Sequence, residues 1–180
     1  WLKASLSMAE RMLSDYADPQ GGFFQTSGGG DVMGRVKEVY DGAIPSGNSV
    51  ALTILRTLHA VTGRAELMIA ADKAEEALSG AVVRSPDAHA QFLNAVDLRL
   101  GPMVEITLTG KREEAEPFLA EIGRHFVPHR VVVHASGSEI ESLSPLARDK
   151  DTAQAAAHVC REMTCLPPAR DASSLGRLLN

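Results

Sequence analysis

The stretch Leu100-Gly101-Pro102-Met103-Val104-Glu105-Ile106-Thr107-Leu108-Thr109 divides this chain into two textures. Gly101-Pro102 breaks whatever precedes it, and the β-branched, partly alternating run over 103–109 reads as a strand. Residues 113–126 then carry Ala115, Phe118, Leu119, Ile122 and Phe126 at helical spacing, so a helix with those residues inward is expected. Residues 130–135 form a second β run containing Val131-Val132-Val133, the texture of a buried parallel strand. Strand, helix, strand in that order predicts two parallel neighbours joined by a right-handed crossover. Downstream, 136–153 reads as loop and 156–160 as a third strand, although its alanines also admit helix. Asp171 or Ser173 caps a last helix that ends near Leu179.

Upstream of Leu100 the pattern is helical. Leu2, Leu6, Ala9 and Leu13 make one apolar face. Residues 46–61 form a strong helix with a Val50, Ile54, Leu58, Val61 stripe and with Ala51 and Leu55 beside it, closed by Thr62-Gly63. A helix over 65–79 follows with Leu67, Ala71, Ala74 and Leu78 on one face, and a shorter one runs from Pro86 to about Val96. Between the first helices lies a breaker-rich segment, Asp18-Pro19-Gln20-Gly21-Gly22. After it, 23–26 reads as a short strand, 28–31 as a glycine turn, and 32–40 as the second arm of a hairpin. The fold class expected is α+β: a helical segment over 1–98, then a small α/β module over 99–180 with a short, mainly parallel sheet.

The 180 residues carry 18 Lys and Arg against 23 Asp and Glu, a net charge of −5. That balance lacks the basic face a nucleic-acid partner needs. No apolar run spans a bilayer, and Glu10 and Arg11 interrupt a signal-peptide reading, so a cytoplasmic chain without membrane partners is expected. A chain that opens inside an amphipathic helix reads as a piece of a longer one.

The densest polar cluster is Arg35-Val36-Lys37-Glu38-Val39-Tyr40-Asp41-Gly42-Ala43-Ile44-Pro45-Ser46-Gly47-Asn48-Ser49. It leads into the positive end of the 46–61 helix, where free N–H groups suit a carboxylate, a phosphate or sugar hydroxyls. Glu38 and Asp41 are the acid/base candidates there, because sugar chemistry commonly uses carboxylates. Lys37, Ser46 and Asn48 would orient a ligand, and Phe24, after Gly21-Gly22, would offer an apolar wall. Lys37, Asp41 and Asn48 are expected in one shared pocket or hydrogen-bond network. A plain structural role is also open: Ser46 as an N-cap, Asp41-Gly42 as a turn, Lys37 and Glu38 as surface charges.

Thr109-Gly110-Lys111 lacks the rest of a phosphate loop and reads as an ordinary turn. Cys160 and Cys165 are not a C-x-x-C pair, which leaves unlinked thiols or one local disulfide. Zinc held by these with His158, or with His125 and His129, is disfavoured, since zinc-finger spacings are not met; no metal or cofactor is expected.

Residues 16–26, 35–49, Leu58 through Thr62-Gly63, and the ending Ala157-His158-Val159-Cys160 with Cys165-Leu166-Pro167 and Leu178-Leu179 resemble the thioredoxin-domain-containing, spermatogenesis-associated thioredoxin-like family. The resemblance spans nearly the whole chain, and 37–48 is its most specific part. It implies an N-terminal thioredoxin-like domain, then a long helical domain similar to six-hairpin glycosidases and N-acylglucosamine 2-epimerases, with this chain as the C-terminal piece. The 1–98 segment would then be part of an α/α toroid, its 21–48 loop lining a cleft for a sugar-like molecule. The partners implied are that sugar and the chain's own upstream helical and thioredoxin domains, with a homo-oligomer through the apolar helix faces as a substitute for the latter. A non-catalytic scaffold supporting the thioredoxin domain is the alternative. Either way, the isolated chain is expected to turn over no sugar.

Overall fold

The computed structural model describes residues 1–28, 34–162 and 164–180. The fold is α+β, with helices first and a small mixed sheet after them. The chain divides into two compact units, Trp1–His59 with Arg64–Leu100, and Ala60–Gly63 with Gly101–Asn180.

The first unit holds α1 (Leu2–Asp15), most of α2 (Gly47–Thr62), α3 (Ala65–Arg84) and α4 (Ala90–Leu100). Helix α1 buries Leu6 and Ala9, and α3 buries Leu67, Ala71, Ala74, Leu78 and Val82, running one turn beyond the expected end. The stripe expected on α2 is rotated. Ala51, Leu52, Leu55 and Leu58 are buried, whereas Val50 and Ile54 are 38% and 42% exposed. Residues repeated every fourth position drift by about 40° per step around an α-helix, so this stripe starts outside the core at Val50 and reaches it at Leu58. Pro86–Ala88 forms a 3-10 turn rather than the first turn of α4.

One buried ionic knot joins α2, α3 and α4. Arg56, 5% exposed, donates to the Ala95 carbonyl at 2.6 Å and pairs with Glu75, while Asp72 lies at 3.5 Å. Arg99 donates to the same Glu75 carboxylate at 3.0 and 3.2 Å. Burial works against the Glu75 charge, but the two guanidiniums hold its pKa below the ordinary carboxylate value.

The second unit is built on β1 (Val104–Thr109), α5 (Arg112–Ile122), β2 (Arg130–His134), α6 (Ser138–Leu143), β3 (Ala156–Arg161), β4 (Thr164–Cys165) and α7 (Ala172–Leu179). The sheet order is β2-β1-β3-β4. Strands β1 and β2 pair in parallel, from Val104↔Arg130 to Leu108↔His134, with α5 between them in sequence. The sheet is not mainly parallel, however. Strand β3 pairs antiparallel with β1, and β4 antiparallel with β3. The short hairpin between β3 and β4 allows only antiparallel return.

One sheet face presents Val104, Ile106, Leu108, Ala157 and Val159 to Ala115, Phe118 and Ile122 of α5 and to Leu175 and Leu179 of α7. Leu119 and Phe126 are 48% and 93% exposed, against expectation: Phe126 lies beyond the end of α5, which stops at Ile122 with Gly123 as its C-cap, and Leu119 lies within α5 but outside the Ala115, Phe118 and Ile122 set that meets the sheet. The opposite face packs Val133 and Ala135 with Ala147, Leu146, Ile140 and Val61. The expected 136–153 loop thus contains α6 and a 3-10 turn at Pro145–Ala147, ordered by burying Ala147 and by a hydrogen bond from Thr107 Oγ1 to the Leu146 carbonyl at 3.1 Å. Asp171 is the N-cap of α7, accepting the Ser174 N–H at 2.7 Å.

Candidate functional site

The segment between α1 and α2 folds back over its own glycines. Gly21 and Gly22 have φ of +102° and +79°. A Cβ on Gly21 would lie 2.4 Å from the Lys73 carbonyl oxygen, so the backbone presses directly on α3. Asp18 organises the turn by accepting the Gln20 N–H at 2.8 Å and pairing with Lys37 Nζ at 2.6 Å. That ammonium, followed by the Gln20 N–H, holds the Asp18 carboxyl below its ordinary value. Lys37 Nζ also donates to the Gly21 carbonyl at 3.0 Å.

The expected hairpin does not form over the described residues. Phe23 makes an isolated bridge to Ala17, and Gln25 N–H donates to the Val36 carbonyl at 2.9 Å, but 34–40 has no regular structure. Most of the expected glycine turn and the start of its second arm, 29–33, lie outside the described residues. Instead, Asn48 supplies what a neighbouring strand would. Its Oδ1 accepts the Phe23 N–H at 2.7 Å, and its Nδ2 donates to the Phe23 carbonyl at 2.9 Å and the Glu38 carbonyl at 2.7 Å. Asn48 is 2% exposed and fully engaged by the loop it holds.

Ser46 Oγ accepts the Ser49 N–H at 3.1 Å, the N-cap geometry of α2. Asp41 caps two places at once. Its Oδ1 accepts the Ser46 N–H at 2.8 Å, and its Oδ2 accepts the Phe92 N–H at 3.0 Å in the first turn of α4. Burial alone would raise the Asp41 pKa, but the N–H groups of Ser46 and Phe92 outweigh it and the carboxyl is held below its ordinary value. Lys37 and Asn48 are therefore joined through the 21–23 backbone, while Asp41 braces the next bend.

Next to this loop is a cleft of about 600 Å³. Its apolar walls are Met8, Met12, Tyr16, Phe23 and Phe24; its polar lining is Arg11, Gln25, Glu38 and Asn48, with Gly47 beside them. The Arg35 guanidinium stacks 4.0 Å from the Phe24 ring centroid, and Lys37 Nζ lies 5.7 Å from it. Glu38 Oε1 accepts the N–H groups of Val39 and Tyr40 at 3.2 and 3.0 Å, which leaves Oε2 without a partner among the described residues. Of the residues expected from sequence, Phe24, Glu38 and Asn48 line the cleft. Lys37, Asp41 and Ser46 are not among its lining residues; they hold the loop that forms it. The contribution of Met8, Arg11 and Met12 was not legible from the α1 stripe, since they lie off it; the signal was a methionine pair beside the apolar face of an amphipathic helix.

An apolar groove of about 360 Å³ adjoins, lined by Ser5, Met8, Ala9 and Met12 of α1 and Thr53, Ile54, Thr57 and Leu58 of α2. Among the described residues, no group of three or more His, Cys, Asp or Glu is placed to hold a metal, and Cys160 and Cys165 form a disulfide. No helix among those residues is long and apolar enough to cross a membrane.

Comparison with characterised proteins aligns this whole chain, 28% identical over 192 positions, with spermatogenesis-associated protein 20 of Homo sapiens. This chain is similar to spermatogenesis-associated protein 20. The Mus musculus and Rattus norvegicus proteins of that name are 27% and 26% identical over the same span. The chain spans about a quarter of the length of these relatives, 24% of each. No protein-family model matches it.

Proposed function

We propose that this chain forms a sugar-binding cleft of a carbohydrate-processing protein, epimerase- or glycosidase-like, whose other parts include a thioredoxin-like domain and further helices. The observation that carries the reading is the cleft itself: aromatic walls at Tyr16, Phe23 and Phe24 beside Arg11, Gln25, Glu38 and Asn48. Sugars present apolar C–H faces and a rim of hydroxyls, and a site for them combines rings with a few convergent polar groups. In this reading Phe24, held by the Arg35 stack, is the platform. Glu38 Oε2 accepts a hydroxyl and serves as the acid/base group. Lys37, Asp41 and Ser46 act as positioning residues through the loop.

Titration calorimetry with neutral, N-acylated and acidic monosaccharides tests this. Saturable binding by the wild-type chain that Phe24→Ala abolishes is the expected result. In a longer protein carrying the chain, Glu38→Gln should keep binding and lose turnover. The second reading is a non-catalytic interaction module. It is favoured by Glu38 being the one carboxylate among the cleft's lining residues, and by the apolar groove next to it. No binding of any sugar would leave that reading standing.

A further inference from the structure

The second unit carries chemistry that the sugar reading does not use. Cys160 and Cys165 face each other across the β3–β4 hairpin and are joined as a disulfide. Their exposure differs sharply: Cys160 is 8% exposed, whereas Cys165 is an exposed residue of the edge strand. A thiolate arriving from solvent therefore meets Cys165.

The other side of Cys160 holds a carboxyl group. In the antiparallel register, Glu105 of β1 is directly opposite Cys160 of β3. Directly opposed residues project from the same face with Cβ atoms about 5 Å apart. Glu105 is half-buried and has no hydrogen-bond or ion-pair partner among the described residues. The elements around it leave it so. Strand β2 brings Val131 opposite it and Val133 opposite Thr107, and the 3-10 turn meets the sheet at Thr107, through the Leu146 carbonyl, and at Val133. Among the described residues of the four strands, the titratable neighbour on this face is His158 of β3, opposite Thr107, and the charges of Lys150 and Arg170 act on His158. Burial pushes the Glu105 pKa up, so it keeps its proton to higher pH than an exposed glutamate does.

We propose that Cys160–Cys165 is a thiol–disulfide exchange site for dithiols, with Cys165 the sulfur attacked and Glu105 the proton donor to Cys160. The incoming thiolate forms a bond to Cys165 Sγ, and the electron pair of the Cys160–Cys165 bond leaves on Cys160 Sγ. That sulfur is buried, where a bare thiolate is costly, and it takes the Glu105 carboxyl proton. The second thiol of the reagent, as thiolate, then attacks its own sulfur in the mixed disulfide and releases Cys165 as a thiolate, which is protonated by water. The protein disulfide is reduced to two thiols and the dithiol is oxidised to its disulfide. Glu105 regains a proton from solvent.

The oxidised chain is treated under native conditions with dithiothreitol, and separately with glutathione, then quenched with an alkylating reagent and mapped by mass spectrometry. Reduction without denaturant is expected, with the glutathione adduct on Cys165 and the alkyl label on Cys160. With Glu105→Gln, the dithiothreitol rate constant on the acid side of the wild-type pH profile, where Glu105 holds its proton, should fall by about a hundredfold, the low end for a positioned proton donor, with an unchanged thermal midpoint. Corrected for reagent thiolate, the wild-type rate constant should fall as Glu105 deprotonates, whereas that of Glu105→Gln stays level. Reduction only after unfolding, or a glutathione adduct on Cys160, overturns the proposal. So does a Glu105→Gln rate constant within about twofold of wild type, where reagent and leaving-group chemistry alone would set it. If Glu105→Gln folds poorly, the glutathione mapping and the pH profile of the wild-type protein still decide the matter, since neither needs the variant.

Discussion

Asn48→Ala leaves the Phe23 N–H and the Phe23 and Glu38 carbonyls without their partners in a buried setting. Each unmet group costs about 1–3 kcal/mol unless water reaches it, so a loss of about 2–4 kcal/mol is expected in urea unfolding. Asn48→Asp should be no milder, because a carboxylate would face two carbonyl oxygens where the amide donates. Asp41 gives a pH signature. Its folded pKa is lowered, so the folded state binds its proton more weakly than the unfolded chain. The stability it contributes is complete above the ordinary value of 3.8 and is lost as the pH falls through the folded value. Stability measured from about pH 5 down to pH 2 should therefore fall less steeply in Asp41→Asn than in wild type. A parallel fall in both would remove Asp41 from the acid response.

Among the elements, α2, α3 and α4 are tied by Arg56, Glu75 and Arg99. Arg56→Ala opens a cavity and removes one counter-charge of Glu75, whose side chain is 17% exposed. Calorimetric or urea unfolding should show a loss of about 3 kcal/mol, at the low end for breaking a buried pair because Arg99 remains. Arg56→Met keeps the volume and should recover part of that loss; equal losses would mean that charge, not packing, dominates. This knot shows what sequence leaves out at this scale. The helices themselves were legible from Leu67, Ala71, Ala74 and Leu78, whose spacing is local. That Arg56 lies inside was not, since Arg is ordinarily exposed and its partners are 16 to 39 residues away. The same holds for the sheet: the β1–α5–β2 order announced a parallel pair, but nothing local placed β3 beside β1.

At the scale of the whole chain, the proposed sugar site sets what the chain is expected to do unaided. Glu38 is the one carboxylate among its lining residues. Glycoside hydrolysis ordinarily uses a pair flanking the bond. The chain of 180 residues is thus expected to bind a sugar without turning it over. Epimerase and glycosidase assays on a sugar panel check this, with light scattering on the same sample. Turnover by a strict monomer would show that a second acid/base group is already present.

The sequence by itself determined the α+β class, the helical first half and the parallel β1–β2 pair. It could do so because the periods of apolar residues, the glycine and proline breaks and the helix caps act over a few positions. Only the tertiary structure decided which polar residues face the cleft and which hold it. It showed Asp41 capping α4 at Phe92, 51 residues on, and Asn48 bonded to Phe23, 25 residues back. It also set Glu105 opposite Cys160. A hydrogen bond is directional and short, so its making depends on where two distant backbones come to lie, and no local pattern encodes that.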